Sequence, residues 1–511
     1  MIDGYDLFAP GVCVSVILSL FLGPLYFPKA YLIFLAVYLS LFLALGMTHV
    51  VKYRLTAQRM IQNIHAYYSS VDAAEPTLSG SLSAKSGSGH THVFVIPNYS
   101  EPYSLLQKTI GRLASHRQAK TNYIIVLAME ASENGSEAKG QSLVEEFKKD
   151  FLDMIVSVHP AGIPGEARGK ASNVNFAVRR ANTLLSVKGY QIKQLLLTIQ
   201  DADSVIPELY IHSVEKAFSE AADPYSTLYC PSIIFSRNSL SVPVPVRIVD
   251  NFWSIMHSQQ LSNPFGILFP CSNYSLSMIL ADKVNYWDTD AASIGEDMHM
   301  MLKCFFKANA KAVPIYVPIN QVNVSTPGYL SNIKARYVQA KRHYSGSAEV
   351  AYCLRHLART SPAVRFSTWL ERILATLLIM EAFIFPCTTG WVMPLGTLLF
   401  DLLRPHLFDN DPFYGNVMLI AKMLTIVAGL PLLTCAIYYH PFHIAVDREH
   451  FKKERKEQQR TWSHLAAEIV SMPIAAMFLM NIPATVSVIS RAIPNRSSTY
   501  IVAEKILAND E

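Results

Sequence analysis

Five long stretches that are nearly free of charged residues constrain this chain more than any other feature. They cover residues 11–27, 31–51, 373–399, 415–439 and 465–490. A helix of about 20 apolar residues crosses a bilayer, and 51% hydrophobic residues is a high content for a soluble protein of 511 residues. The sequence therefore predicts a multi-pass membrane protein with about five helices.

The charges beside these stretches predict their orientation. Basic residues cluster at 52–59 and 448–460, which favours the cytoplasmic side, whereas the loop 400–413 is mainly acidic. Two helices then precede a cytoplasmic domain and two follow it. The last stretch contains Pro473 and Pro483, so it could span the membrane, re-enter it or lie at its surface.

The composition argues against several classes of protein. The net charge is only +5, and the basic residues lie beside the apolar stretches rather than along one face, so nucleic-acid binding is not expected. The seven cysteines show no CxxC spacing, which indicates neither a zinc site nor a disulfide framework.

Between the apolar stretches, the sequence predicts a domain in which strands alternate with helices from about residue 92 to 200. This order is typical of a mostly parallel α/β sheet. We divide the chain into an N-terminal transmembrane hairpin with a juxtamembrane helix (1–75), a Ser/Gly linker (76–91), the α/β domain (92–346), amphipathic interface helices (347–371) and a C-terminal transmembrane region of about three helices (372–511).

Two aspartates directly follow one of the predicted strands. Asp201 and Asp203 come after the apolar strand 195–200, and ligands of open α/β sheets bind at the carboxyl ends of strands. A lone DxD is often only a turn or a helix cap. At this edge, however, two carboxylates repel each other unless a cation binds between them. Hard oxygen ligands suit Mg²⁺ or Mn²⁺ holding a diphosphate.

A second pair of acids, Glu296 and Asp297, stands where a helix is predicted to begin. An ordinary helix-capping role explains such a pair. The alternative is catalysis, in which one carboxylate acts as the general base that removes a proton from an acceptor hydroxyl.

Two further segments carry groups that suit a phosphorylated ligand. Lys170 lies in a glycine-rich turn just before a predicted helix, a position that can neutralise phosphate. Gln339 and Arg342 lie three residues apart, on one side of a predicted helix, although a basic helix at the membrane surface has the same pattern.

As an ordered set, these motifs resemble the membrane-integrated family 2 glycosyltransferases, which include cellulose, chitin and hyaluronan synthases and ceramide glucosyltransferase. The similarity spans roughly residues 92–346 and extends to the flanking helices. The resemblance implies a GT-A fold: a nucleotide-binding, mostly parallel α/β domain in the cytoplasm, fused to transmembrane helices.

The resemblance also assigns roles to individual residues. Asp297 becomes the catalytic base, with Glu296 beside it, and Asp201 and Asp203 become the ligands of Mn²⁺ or Mg²⁺. The donor would be bound by Pro97, Tyr99, Glu101, Glu130, Lys170, Asp201, Gln339 and Arg342. The acceptor would be bound by Cys271, Ser272, His343 and Tyr344.

Two positions depart from the family pattern. Glu130 stands where the family has an aspartate that reads the nucleotide, and Glu133 offers a second carboxylate nearby. His343 replaces a tryptophan that forms the stacking floor for the acceptor sugar, which weakens the case for polymer synthesis. Tyr344 could substitute for that ring.

The resulting hypothesis is an inverting, metal-dependent transferase that moves a sugar from a UDP-sugar to a growing polysaccharide at the membrane. Transfer of one sugar to a membrane lipid and a catalytically silent membrane scaffold are the alternatives. The expected partners are the UDP-sugar, a glycan or lipid acceptor and membrane lipids, and a homo-oligomer is compatible with the sequence. The expected location is the plasma membrane or the Golgi or ER, with the catalytic domain in the cytoplasm.

Overall fold

A seven-stranded sheet forms the centre of the α/β domain. The computed structural model describes residues 3–74, 89–290, 295–361, 363–452 and 459–493. The strands are β1 (Thr91–Pro97), β2 (Tyr123–Glu130), β3 (Asp153–His159), β4 (Leu195–Ile199), β5 (Thr227–Phe235), β6 (Tyr274–Ser277) and β7 (Lys311–Gln321). The fourth coincides, within one residue at each end, with the strand predicted at 195–200.

The strand order is β3-β2-β1-β4-β6-β5-β7. Strands β1, β2, β3 and β4 pair in parallel, and β7 is parallel to β5, whereas β6 runs antiparallel to both β4 and β5. The prediction of a mostly parallel sheet is therefore confirmed. The carboxyl ends of β1, β2 and β4 meet at one edge, where the predicted polar residues follow them.

The helices lie on both faces of this sheet and beyond it. They are α1 (Phe8–Tyr26), α2 (Pro28–Ala74), α3 (Tyr103–Ala114), α4 (Ala119–Asn122), α5 (Ser136–Phe147), α6 (Lys170–Val187), α7 (Glu208–Glu220), α8 (Val244–Gln260), α9 (Met278–Lys283), α10 (Glu296–Ala308), α11 (Tyr329–Tyr344), α12 (Ala348–Ala358), α13 (Phe366–Leu403), α14 (Leu407–Asn410), α15 (Pro412–Val427), α16 (Leu430–Glu449), α17 (Trp462–Ala476) and α18 (Ile482–Ser490). A π-helical turn, Met477–Asn481, joins α17 to α18.

Alternate residues of each strand face different layers, because side chains alternate across a pleated strand. Val93 and Val95 of β1 pack with α6 in one buried cluster. Phe94 and Ile96 face the other way and pack with α3 and α7. The central strands are consequently buried on both faces, which explains their continuous apolar sequence.

Within the described residues, five helical segments are long and apolar enough to cross a membrane. They are Phe8–Tyr26, Pro28–Ser70, Phe366–Leu403, Pro412–Glu449 and Trp462–Ser490. They correspond to the five apolar stretches, although the second helix continues well beyond its stretch. This helix, α2, packs against α8 and β7 of the sheet domain.

Polar contacts mark the two ends of the first four segments. At the end distant from the sheet, Lys29 pairs with Asp411 at 3.1 Å, and Arg404 donates to the carbonyl oxygen of Pro24 at 3.1 Å. At the near end, the His450 Nε2 atom lies 3.3 Å from the carbonyl oxygen of Pro318 in β7. These four segments therefore run between the sheet domain and a distant polar layer.

The fifth segment differs, because both of its ends contact the sheet domain. Near its start, Glu468 pairs with Arg247 of α8 at 2.7 Å. Near its end, the Ser487 hydroxyl donates to the carbonyl oxygen of Lys341 in α11 at 2.9 Å. The segment therefore connects α8 to α11 rather than leading away from the domain.

Candidate functional site

A lysine and two carboxylates meet at the edge of the sheet. Lys170 is the first residue of α6, Asp201 follows β4, and Glu296 opens α10. The Lys170 ammonium lies 2.7 Å from Asp201 Oδ1 and 2.9 Å from Glu296 Oε2, and it donates to the carbonyl oxygen of Ser272 at 2.9 Å. Three sequence motifs far apart in the chain thus form one charged cluster.

The cluster changes the acidity of its members. Burial alone lowers the pKa of Lys170, but the charges of Asp201, Glu296 and Asp297 outweigh burial and raise this pKa well above its usual value. Burial raises the pKa of Glu296, against the opposing effect of Lys170. Lys170 is therefore a fixed cation at the site.

Glu296 is held by aromatic side chains as well. It is buried, and its Oε1 atom accepts a hydrogen bond from the Trp287 indole at 3.0 Å and another from the Tyr274 hydroxyl. The Trp287 indole also lies 2.8 Å from the Tyr274 oxygen. Because Glu296 is buried, it has little access to a substrate. Its contacts therefore indicate that it positions Lys170.

Asp297, the next residue, has a different environment. It is half-buried, and its two carboxylate oxygens accept backbone N–H groups from Ser272 at 2.6 Å and from Met298 at 2.8 Å. Ser272 has a φ of 61°, a left-handed conformation that is rare for serine. This conformation lets Ser272 contact Asp297 through its N–H group and Lys170 through its carbonyl oxygen.

The two aspartates after β4 have different environments. Asp201 is partly exposed, whereas Asp203 is 3% exposed and its Oδ2 atom lies 3.4 Å from the backbone nitrogen of Val322. In the part of the chain that the structure describes, no group of three or more His, Cys, Asp or Glu side chains could hold a metal ion. The residues fit a cation that takes its remaining ligands from a diphosphate and water.

The end of β1 leads to a group of polar and aromatic residues. The Glu101 carboxylate accepts the backbone N–H of Tyr99 at 2.5 Å. Arg168, from the glycine-rich turn before α6, lies over the Tyr99 ring at 4.5 Å and donates to Ser132 at 3.1 Å. Tyr99 and Arg168 therefore lie together beside the turn that leads into Lys170.

The two candidate glutamates after β2 have separate partners. Glu130 is buried and contacts His159 of β3 at 3.2 Å, and His159 contacts Glu166 at 3.0 Å. Burial lowers the pKa of His159, but the two glutamates outweigh this effect and raise it. Glu133 instead accepts the amide of Asn98 at 2.8 Å and pairs with Lys139.

Four of the predicted donor and acceptor residues lie on α11. Gln339 and Tyr344 of α11 are buried, and Arg342 and His343 are half-buried. The indole of Trp253 in α8 packs edge-on against the His343 ring, with centroids 5.0 Å apart, and lies 6.0 Å from the Tyr344 ring. Trp253, from another helix, therefore lies next to His343.

Comparison with known proteins identifies the domain. A family model described as "Glycosyl transferase family group 2" matches residues 196–440. Residues 196–440 belong to the family 2 glycosyltransferases. The match begins in β4 and includes Asp201, Asp297 and Arg342.

Solved glycosyltransferase structures also resemble the chain. The mannosyltransferase PcManGT from Pyrobaculum calidifontis, in complex with GDP-Man and Mn²⁺, matches with a TM-score of 0.42 and 15% identity, covering 83% of this chain and 98% of its own. Glucosyl-3-phosphoglycerate synthase from Mycobacterium tuberculosis, in complex with Mn²⁺ and UDP, matches with a TM-score of 0.29 and 12% identity. This match covers 54% of the present chain and 83% of the synthase. No curated protein sequence matches the chain.

Sequence reasoning missed several residues of this glycosyltransferase site. Arg168 lies within the glycine-rich turn that contains Lys170, so the sequence alone places Arg168 close to Lys170. Trp253 and its neighbour His257 are four residues apart, a spacing that places both on one helix face. Nothing in the sequence showed that this face of α8 would meet α11.

Proposed function

We propose that this glycosyltransferase moves a sugar, with inversion, from a UDP-sugar to a growing polysaccharide. The observation that carries the proposal is the Lys170–Asp201–Glu296 cluster, which lies beside a half-buried Asp297 at the carboxyl edge of the sheet. A fixed cation, a pair of aspartates for a metal ion and a separate carboxylate are the groups that nucleotide-sugar transfer requires.

Asp297 is the proposed base. Its carboxylate would take the proton from the acceptor hydroxyl while that oxygen attacks the anomeric carbon of the donor sugar. The bond between this carbon and the diphosphate oxygen breaks on the opposite face, and UDP leaves with the bonding electrons. This sequence inverts the anomeric configuration in one displacement.

The leaving diphosphate carries negative charge, which the chain can neutralise. Lys170 is positioned for this by Glu296, and the half-buried Arg342 is the second proposed cation. Asp201 and Asp203 would hold Mn²⁺ or Mg²⁺, and the ion, when bound, supplies further charge neutralisation on the diphosphate. Pro97, Tyr99, Glu101, Glu130 and Gln339 remain proposed donor contacts.

The arrangement of the helices supports a catalytic domain on the cytoplasmic side of the membrane. The near ends of the second and fourth apolar segments carry basic residues, and the distant layer contains Asp411 and Asp401, each paired with a lysine. Since both ends of the fifth segment contact the sheet domain, we propose that it re-enters or lies along the membrane surface.

This topology is testable by glycosylation mapping. Asn495, in a natural Asn-Arg-Ser sequon, should then face the cytoplasm and remain unmodified, whereas a sequon introduced between Arg404 and Asp411 should be glycosylated. A glycan on Asn495 would show that the fifth segment spans the membrane.

The function is tested by incubating the purified protein in nanodiscs with Mn²⁺ and a panel of radiolabelled UDP-sugars. The expected result is a labelled product of high molecular mass that Asp297→Asn does not make, although this variant still binds UDP. Label confined to a small lipid-soluble species would mean transfer to a lipid. Equal UDP-sugar turnover by the wild type and Asp297→Asn would refute the catalytic role of Asp297.

A further inference from the structure

A groove lies between α2 and α16 where both helices leave their apolar stretches. Its volume is about 500 Å³, within the range of ligand-binding sites. We use "the α2–α16 groove" for this cavity, whose lining includes Arg54, Ala57, Gln58 and Gln62 of α2 and Tyr438 and Pro441 of α16. The apolar stretches of the two helices end at residues 51 and 439, so the groove lies at the depth of lipid headgroups, on the side of the sheet domain.

The Arg54 guanidinium is exposed in this groove. Its Cζ atom lies 5.7 Å from the centroid of the Tyr438 ring, and Arg54 forms no ion pair with another described residue. Arg59, further along α2, is different, because its guanidinium donates to the Tyr316 hydroxyl of β7 at 2.5 Å. Arg54 is therefore a cation placed over an aromatic ring, and it is accessible to an anion from outside the chain.

The face of α2 that lines the groove changes from apolar to polar at the end of its apolar stretch. Met47 and Val51 are exposed apolar side chains. Arg54, Gln58 and Gln62 continue the same face, at steps of three and four residues, and are exposed as well. A phospholipid has the same division into acyl chains and a polar headgroup.

The side of α16 that meets the groove shows the same change. Leu430 and Ile437 are exposed apolar side chains, and the exposed Tyr438 and Pro441 follow them. Tyrosine is enriched where a membrane meets water. Pro441 has no N–H group, so it donates no helical hydrogen bond to the carbonyl oxygen of Ile437, four residues earlier. Both helices thus offer apolar contacts beside the membrane and polar groups in the groove.

We propose that the α2–α16 groove binds one anionic phospholipid from the leaflet nearest to the sheet domain. The Arg54 guanidinium binds two oxygens of the phosphate, a geometry that arginine favours. The amides of Gln58 and Gln62 bind headgroup hydroxyls. The acyl chains lie along the exposed apolar faces of α2 and α16. This inference is independent of the proposed sugar transfer.

The charges around the groove favour an anionic lipid over a zwitterionic one. No carboxylate is among the described residues that line the groove. The ammonium group of a zwitterionic headgroup would therefore lie near Arg54 without a counter-charge. Residues 52–71 contain three basic residues and no acidic one, and residues 448–460 contain six basic residues and three acidic ones. Basic segments beside membrane helices attract anionic lipids.

The test counts the lipids bound to the full chain. The protein is purified in an uncharged detergent and titrated with dioleoylphosphatidylglycerol or with dioleoylphosphatidylcholine, which have the same acyl chains and differ in headgroup charge. Native mass spectrometry separates the protein with no lipid from the protein with one lipid and gives the Kd of the first lipid. The titration is repeated with inorganic phosphate in excess.

We expect the wild type to bind phosphatidylglycerol about tenfold more tightly than phosphatidylcholine. Arg54→Gln should weaken phosphatidylglycerol binding about tenfold, and Arg54→Lys about threefold, because lysine keeps the charge but not the contact with two oxygens. Ala57→Phe places a ring in the groove and should weaken the binding of both lipids severalfold. Inorganic phosphate should not displace the lipid, since it lacks the acyl-chain contacts.

The matched control is Arg448→Gln, because Arg448 is an exposed arginine of α16 that does not line the groove. Its Kd values should stay within about twofold of the wild type. Since Arg54 is exposed, its two variants should keep the wild-type Tm and can be interpreted even if Ala57→Phe does not fold.

Three results would overturn the inference. The first is equal affinity of the wild type for the two lipids. The second is an equal loss of phosphatidylglycerol affinity, or none, in Arg54→Gln and Arg448→Gln, which would mean general attraction between a basic protein and an anionic lipid. The third is complete displacement of the lipid by inorganic phosphate, which would mean a site for a free anion.

Discussion

The two sides of Asp297 are stabilised in different ways. On the side proposed to bind the donor, the Lys170–Asp201–Glu296 cluster joins residues that stand at strand ends and helix starts. On the side proposed to bind the acceptor, α8 and α11 are fixed by buried ion pairs, of which Arg336–Asp250 is one and Arg247–Glu468 another. The donor side is thus organised by the sheet, and the acceptor side by helices that reach the apolar segments.

This difference suggests a division of roles. Nucleotide diphosphates are chemically alike, so a sheet edge with fixed charges can serve many transferases. Acceptors differ, and the helices that would contact them depend on how the apolar segments pack. The following predictions test whether the two sides behave independently.

The largest expected effect is on the donor side. Asp201→Asn removes a proposed metal ligand and the partner of Lys170, so kcat/KM should fall by roughly 10³-fold, and EDTA should abolish activity in the wild type. Transfer from a UDP-sugar with and without Mn²⁺ is the measurement. Asp223→Asn, at an exposed position, is the control. Retention of more than a tenth of the activity by Asp201→Asn would refute the metal role.

On the acceptor side, Glu468→Gln should mainly affect stability. Glu468 is buried between Arg247 at 2.7 Å and Arg460 at 2.6 Å. Its loss leaves two buried guanidinium groups without a counter-charge, which should destabilise the fold by about 3–5 kcal/mol. Thermal unfolding in nanodiscs measures the effect.

The matched control for Glu468 is Glu145→Gln, because Glu145 forms an exposed ion pair with Lys148 and should change stability by less than about 1 kcal/mol. If the two sides are independent, partially destabilised Glu468→Gln protein will bind acceptor more weakly while its UDP affinity stays the same. Equal loss of both affinities would show that the two sides form one unit.

A pH titration tests the link between α10 and the interface helix α12. His299 lies 3.0 Å from Glu349 and 3.1 Å from Asp288. Burial alone lowers the pKa of His299, but Glu349 and Asp288 outweigh this and raise it from 6.5 to about 10. A raised histidine pKa stabilises the fold fully below pH 6.5, and this contribution disappears as the pH rises towards about 10.

The measurement is the Tm of the wild type and of His299→Gln from pH 6 to pH 10 (roughly the titration range of a raised histidine). The wild type should be more stable at the acidic end, and the difference between the two proteins should shrink as the pH rises. Parallel curves would mean that His299 does not carry the stabilising charge. Because Asp297 is two residues away, activity should follow the same trend more weakly.

The donor side could be predicted from the sequence because its signals are local. A buried strand followed by Asp201, and a glycine-rich turn followed by Lys170, each indicate a position at the sheet edge without knowledge of any distant residue. The topology then brings these positions together, since parallel strands share one carboxyl edge. The family resemblance assigned the same residues.

The acceptor side could not be predicted in this way. The pairing of Arg247 with Glu468 joins residues 221 positions apart, and no local pattern determines such a contact. For the same reason, the sequence showed the absence of tryptophan at position 343 but not the approach of Trp253. The sequence could not decide whether the fifth apolar segment spans the membrane. Hydropathy gives the length of an apolar segment but not the domain that each of its ends contacts.

The smallest expected effect concerns Glu130, where this chain departs from its family on the donor side. Glu130→Asp restores the usual residue but shortens the side chain, so its contact with His159, now 3.2 Å, should lengthen. Loss of one such hydrogen bond is worth about 0.5–1.5 kcal/mol, so the KM for the UDP-sugar should change by only about threefold to tenfold, and acceptor affinity should not change. Initial rates at varied donor concentration provide the measurement, with Glu137→Asp as the exposed control. A change in acceptor affinity instead would contradict the separation of the two sides, because Glu130 and His159 contact each other, the turn that carries Glu166 and Phe176 of α6.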